Sequence, residues 1–298
     1  MQLLYLIKRN MQLYFKDKGM FFTSLITPII LLVLYTTFLY KIFKDSFLMN
    51  CPAELGVPED LIDGLVGGQL LSSILAVSCV TIAFCTNLIM IQDKYNEAIK
   101  DLTVAPIRRS VLALSYFIAS LLSTLLVCYV TTGLSFIYLA INGWYLTVAD
   151  VFLILLDVFL LALFGTSLSS IIHFFLKTQG QMSAVGTIVS SVYGFICGAY
   201  MPIANFPLGL QRALLFLPGT YGTSLLKNHA MGSAINKLAD YNVPDEALDG
   251  IRSSVDCNIE FFDRTVSIGA MYGVIIASTI IFIGIYILLN ALKKKNIK

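Results

Sequence analysis

Six long apolar runs, separated by polar or charged segments, set the pattern of this 298-residue chain. They cover residues 21–40, 70–91, 111–141, 151–172, 182–200 and 266–289. A helix needs ~20 apolar residues to cross roughly 30 Å of hydrocarbon, and each run comes close to that length or exceeds it. The third is longer than a bilayer is thick, so it must tilt or extend beyond the hydrocarbon. The pattern predicts an all-α polytopic membrane protein with six transmembrane helices, read as a single membrane domain over residues 1–298.

The stretch before the first run, residues 1–19, has its own periodicity. Leu3, Ile7, Met11 and Tyr14 recur at helical spacing, while Lys8, Arg9, Gln12 and Lys16 fall mostly elsewhere on the wheel. This suits an N-terminal helix lying in the membrane interface with its basic face toward anionic lipid headgroups. A basic flank that merely orients the next span is the other reading. The first run is too long for a signal-peptide core and lacks a small-residue cleavage site, so it is read as retained.

The segments between the runs give the orientation. Lysine and arginine concentrate in residues 1–20, 93–110, 173–181 and 290–298, which together hold thirteen of the twenty. The short segments 41–67 and 142–150 hold two and none, and the remaining five lie in the long segment 201–265. Positive charge is retained on the cytoplasmic side of short loops, so both termini are expected in the cytoplasm of a cell-membrane protein. Residues 201–265 then face outward.

Composition narrows the function classes. Only 13% of residues are charged against 57% hydrophobic, where a soluble domain has about 25% charged. A net charge of +2 gives no support to a nucleic-acid partner. The chain has no G-x-x-x-x-G-K-[ST], no G-x-S-x-G and no H-E-x-x-H, so neither a nucleotide site of its own nor an enzyme reading has residues to rest on. Cys79, Cys85, Cys128 and Cys197 lie inside apolar runs, where a thiol acts as a small hydrophobe. His173 and His229 are isolated, and no spacing suggests a metal site. Asp157 is the only acidic residue deep inside a run, with no basic partner in any other. A carboxylate at that depth is a functional candidate by default, although hydrogen bonding in the bundle is the plainer reading. Gln69 and Asn87 are read as interhelical glue. Cys51 and Cys257 fall outside the runs on the outer side, where an oxidised pair would tie the first outer loop to the last.

Two segments stand out. Residues 93–110, DKYNEAIKDLTVAPIRRS, alternate in sign through Asp93, Lys94, Glu97, Lys100 and Asp101 and are stopped by Pro106. A short charged helix of this kind can dock into a soluble partner; a solvated loop is the alternative, disfavoured by the mixture of three acids with four bases. Residues 198–222 contain Pro202, Pro207 and Pro218 around an amphipathic piece, 208–217. Proline removes a backbone donor, so a helix entering this stretch must break. A bracketed apolar segment favours a pair of short re-entrant helices over an exit loop, because broken backbone at membrane depth must be covered by protein or a water-filled cavity.

Taken together, these pieces resemble the membrane subunits of type-two ABC exporters, the drug-resistance and polysaccharide-export permeases. The resemblance rests on the N-terminal helix, the six runs and a Leu-x-x-x-Pro element at Leu102–Pro106. Most specifically it rests on Gly198-Ala199-Tyr200-Met201-Pro202, then Phe206-Pro207, then Leu214–Phe216 and Leu217-Pro218-Gly219-Thr220. Members often carry a glycine beside the acidic residue of the second-to-third loop, where this chain has Asn96-Glu97-Ala98.

The resemblance implies a half-transporter without catalytic residues or bound cofactor, which pairs with a second permease and two cytoplasmic ATP-binding-cassette ATPases that use ATP and Mg. Residues 93–110 then resemble the coupling helix, with Glu97, Asp101, Leu102 and Pro106 as contact and shaping residues. Gly198, Tyr200, Pro202, Pro207 and Pro218 shape the outer re-entrant helices and gate. The second and fifth runs would line the path, through Thr81, Phe84 and Asn87 on one and Thr187, Ser190 and Tyr193 on the other. Their mix of apolar and hydroxyl groups suits an amphipathic, lipid-like or drug-like cargo. The alternative is a secondary carrier or channel that needs no ATPase and depends on Asp157.

Overall fold

The computed structural model describes residues 2–50, 56–99, 102, 108–262 and 264–293. These residues form helices, apart from turns and one isolated bridge between Glu260 and Thr265. The chain opens with α1 (Gln2–Lys16), α2 (Lys18–Leu34) and α3 (Tyr40–Asn50). It continues through α4 (Glu59–Thr86), α5 (Leu88–Tyr95), α6 (Arg109–Asn142) and α7 (Val148–Phe175). Next come α8 (Gln179–Ile196), α9 (Leu208–Leu214), α10 (Pro218–Leu238), α11 (Asp245–Ser254) and α12 (Ile268–Lys293).

Local chemistry explains many of the boundaries. The Asp17 carboxylate accepts from Met20 N at 3.0 Å and starts α2. Thr147 with Asp150 and Thr178 with Gln181 form reciprocal capping boxes at the starts of α7 and α8. Pro28 lies inside α2, and a π-helical turn at Tyr35–Leu39 joins α2 to α3. There Thr36 and Thr37 donate back to Leu32 O and Val33 O, as hydroxyls do where a helix ladder is disturbed.

The centre of the bundle is α4. It packs against α2, α6, α7, α8 and α10, and 94% of its apolar stretch is buried. Small residues permit that crowding. A Cβ at Gly68 would lie 2.7 Å from the carbonyl oxygen of Ala230, so α10 rests directly on the α4 backbone. Toward the end of α4, the Thr86 hydroxyl meets Ser120 Oγ at 2.6 Å, and Asn87 Nδ2 donates to Ser169 Oγ at 3.0 Å, stitching α4 to α6 and α7.

Five helical stretches are long and apolar enough to cross a membrane: Lys18–Met49, Glu59–Tyr95, Ser110–Asn142, Val148–Phe175 and Ile268–Leu292. The expected fifth run corresponds to α8, which has 18 residues, buries only Gly194 and is not one of the five. The second stretch begins eleven residues earlier than its apolar run, because Gln69 and the small residues of 59–69 are buried against neighbours.

The largest departure concerns residues 223–265, read from sequence as a polar outer loop. Instead α10 is one 21-residue helix inside the core, between α4, α7 and α12, followed by the amphipathic α11. Its direction is fixed by its partners on α7. Ser233 donates to Asp150, His229 meets Asp157, and Gly222 abuts Leu161. So α10 runs antiparallel to α7, and its proline-led start lies beside the middle of α7, about 20 Å from the first residue of α7 at 1.5 Å per residue.

Candidate functional site

At the end of the bundle that holds α1 and the last turn of α5, charged side chains are drawn inward. Leu6, Ile7, Asn10 and Tyr14 of α1 are buried and α1 packs on α6, so the apolar stripe is rotated slightly from the sequence expectation. Arg9 of α1 grips the Asp93 carboxylate with both terminal nitrogens, Nη2 to Oδ1 at 3.0 Å and Nη1 to Oδ2. The Tyr116 hydroxyl of α6 donates to the same carboxylate. The hydrogen bond to Asp93 raises the Arg9 pKa further and outweighs partial burial, so the guanidinium stays charged. One residue on, Lys94 Nζ donates to the carbonyls of His173, Phe174 and Leu176 at 3.1–3.4 Å. Those carbonyls end α7, where a cation offsets the partial negative charge of the helix terminus.

Immediately beyond this cluster the helix stops. Tyr95, Asn96 and Glu97 are exposed, and Glu97 has a φ of +60°, the left-handed conformation that favours glycine. The single charged helix expected over 93–110 is therefore broken at Glu97. Leu102 is half-buried and packs on the core; Asp101 and Pro106 lie outside the described residues.

At the opposite end, two buried polar clusters meet α10 from different sides. The Lys227 side chain is fully buried, and its ammonium donates to Gly198 O at 2.8 Å and to Asp256 Oδ2 at 3.0 Å. Asp256 also accepts from the backbone nitrogens of Ile203 and Ala204, at 2.8 and 3.2 Å. This shapes the break after α8. Gly198 has a φ of +76°, and a Cβ there would sit 3.0 Å from Asp256 Oδ2, so glycine fits on both counts. Tyr200 folds back onto α8, its ring 5.0 Å from that of Phe195. Pro202 is buried before a short 3-10 turn, Pro207 leads into α9, and Pro218 is the first residue of α10. Each proline sits where its missing N–H costs no helix hydrogen bond.

The second cluster is Asp157 on α7, His229 on α10 and Tyr272 on α12. His229 Nδ1 is hydrogen-bonded to Asp157 Oδ2 at 2.6 Å, and Tyr272 Oη donates to Oδ1 at 2.7 Å. This corrects the reading of Asp157 as lacking a basic partner, and of His229 as isolated. The partner was missed because it lies on α10, which the sequence presents as loop.

The proposed lining residues are placed differently on the two helices. Thr81, Phe84 and Asn87 are 2–3% exposed and face the bundle interior: Thr81 bonds Val77 O, and the Phe84 ring lies 5.5 Å from that of His173. On α8, Thr187 is exposed, while Ser190 and Tyr193 are half-buried. Cys257 is a buried free thiol whose pKa burial pushes up to about 12; Cys51 lies outside the described residues. Among the described residues, no three His, Cys, Asp or Glu side chains gather as metal ligands.

Long apolar helices around a buried centre, with buried ion pairs at both ends and no nucleotide motif in the sequence, define a multi-pass membrane protein. The model of the ABC-2 type transporter family matches residues 1–228, and the chain belongs to that family. It is a membrane permease component, which lacks the nucleotide-binding domain; ATP is used in this family by a separate ABC ATPase. No curated protein matches the chain.

Proposed function

We propose that this permease pairs with a second permease, identical or homologous, above two cytoplasmic ATPases and exports an amphipathic, lipid-like or drug-like cargo. Residues 93–110 are its ATPase contact, with Glu97, Asp101, Leu102 and Pro106 as contact and shaping residues. Both termini are cytoplasmic, which places the α10 clusters at the outer end. The observation that carries this reading is the exposed turn at 95–97, presented directly beyond a part-buried ion pair at its base. ATP closure of the ATPases pushes on this turn, and the helices rock to release cargo outward. No substrate bond is broken.

The outer gate is the broken stretch 198–217 with the start of α10. Its position beside the middle of α7 supports the re-entrant reading, since Lys227 and Asp256 supply the hydrogen bonds that broken backbone needs away from water. In this reading α8 is the remaining span. Its exposed Thr187, Ile188, Ser191, Val192 and Phe195 face the second permease or the cargo path.

Co-purification with the ATPase and measurement of ATP hydrolysis test the assignment. Glu97→Ala with Asp101→Ala is expected to abolish assembly or coupled hydrolysis; a fully active double variant would overturn the coupling role. Transport that persists without an ATPase, and is lost in Asp157→Asn, would instead favour the carrier reading.

A further inference from the structure

In the half of the molecule away from α5, several cations have partners. Lys44 bonds Asp63 at 2.9 Å, Lys227 bonds Asp256 at 3.0 Å, and Arg252 bonds Asn236 at 2.5 Å. Arg212, on α9, is different. It is exposed, and among the described residues its N–H groups meet no hydrogen-bond or ion-pair partner. Its guanidinium lies instead over the Phe262 ring, with Cζ 5.5 Å from the centroid. A guanidinium held by an aromatic ring keeps N–H groups free for an anion. Phe262 belongs to a cluster in which the Phe216 ring meets Phe261 and Phe262 edge-on, at 5.4 and 6.2 Å. Phe216 and Phe262 are 65% and 50% exposed, so an open cation adjoins open aromatic surface. Glu260, at the base of the same turn, is exposed and makes no ion pair with Arg212. Depth decides what this surface faces. Phe216 is two residues before Pro218, which lies beside the middle of α7. An arginine at membrane depth faces a water-filled path rather than lipid tails.

We propose that Arg212, with the rings of Phe216 and Phe262, is an exit-side recognition site for the anionic group of an amphipathic cargo. This rests on the reading of 198–217 as the outer gate, and it narrows the cargo class from amphipathic to anionic and amphipathic. Paired guanidinium N–H groups match the two oxygens of a carboxylate or phosphate. The two phenylalanines cover the first methylenes of the attached tail, so the site reads head and tail together. An uncharged amphiphile would use only the rings, and a small anion only the arginine.

The test uses the permease–ATPase complex in phosphatidylcholine nanodiscs and three probes with the same sixteen-carbon tail. N-palmitoylglycine is anionic, monopalmitoylglycerol is uncharged and hexadecyltrimethylammonium is cationic. The half-stimulating concentration is read from ATP hydrolysis relative to each variant's own basal rate, and the place of binding from a diazirine-bearing palmitoylglycine. N-palmitoylglycine is expected to act at the lowest concentration and to be captured on residues 208–217 and 259–262. Arg212→Gln should raise its half-stimulating concentration about tenfold, as the loss of a charged hydrogen-bonded contact does, and leave monopalmitoylglycerol unmoved. Arg212→Lys should recover part of the loss, because it keeps the charge without the fork. Phe216→Ala should weaken both probes alike, and Arg252→Gln neither. Equal responses to the three probes, no response to any, capture elsewhere, or an Arg212→Gln protein that keeps the preference would overturn the inference and leave the exporter reading standing. Phosphatidylglycerol added to the nanodiscs separates a resident lipid from a cargo. If it alone reproduces the dependence on Arg212 without a probe, the occupant is the bilayer and the cargo assignment falls. A permease that binds no ATPase overturns the exporter reading, and capture of the probe on the permease alone still decides the site.

Discussion

Single residues at both ends of the bundle adopt states that their chemistry alone disfavours, and their neighbours compensate. Lys227 is fully buried and is balanced by Asp256 and the Gly198 carbonyl. Lys227→Met leaves Asp256 buried with only backbone donors and should lower stability by about 3 kcal/mol, whereas Lys227→Met with Asp256→Leu should cost less. Thermal unfolding of the detergent-solubilised variants measures the difference. Glu97 holds a left-handed backbone, so Glu97→Gly should be more stable than Glu97→Ala by about 1 kcal/mol, both having lost the same side chain. Cys257, raised to about 12, holds almost no thiolate at pH 8. A maleimide should therefore leave it unmodified in the native protein and label it after denaturation; rapid native labelling would show that the segment opens.

At the level of elements, the sequence was most legible where apolar residues run unbroken. The apolar runs at 21–40, 70–91, 111–141 and 151–172 fall within helical stretches of membrane length, and 266–289 does so from Ile268 on. Residues 223–238 were not legible, because Thr223, Ser224, Lys227, Asn228 and His229 give them the composition of a loop. They are helical because Thr223 bonds Gly219 O of its own helix and the other four meet partners on other elements: Ser224 and Asn228 bond backbone carbonyls near residue 257, and Lys227 and His229 meet carboxylates. Amide hydrogen exchange should therefore find residues 223–238 about as protected as the core of α7, where an outer loop would exchange rapidly. At the contact with α4, Gly68→Leu should push α10 away and cost about 1–3 kcal/mol, as overpacking does.

For the whole molecule, the arrangement pairs one nearly buried helix, α4, with peripheral helices that keep broad apolar faces. Only 17% of the apolar stretch of α12 is buried, against 94% for α4. Such faces need lipid or a second subunit. If α8 faces a second permease, cysteines at Ile188 or Val192 should cross-link between copies in the membrane; cross-linking only through α12 would move the interface. The Asp157–His229–Tyr272 cluster joins α7, α10 and α12 in the half of the molecule away from α5.

The sequence by itself determined the class: apolar length, sparse charge and the proline-punctuated stretch 198–220 are local properties that neighbours cannot alter. It also marked 93–110, because alternating charge beside a membrane run is visible in the order of residues. What only the tertiary structure decided is which charges are buried together. Arg9 with Asp93, Lys227 with Asp256 and His229 with Asp157 are separated by 84, 29 and 72 positions. Ion pairing at such range depends on how helices pack, which no local pattern encodes. The same holds for α10. Its polar residues are satisfied in the core only once α4, α7, α12 and the turn at 256 surround them.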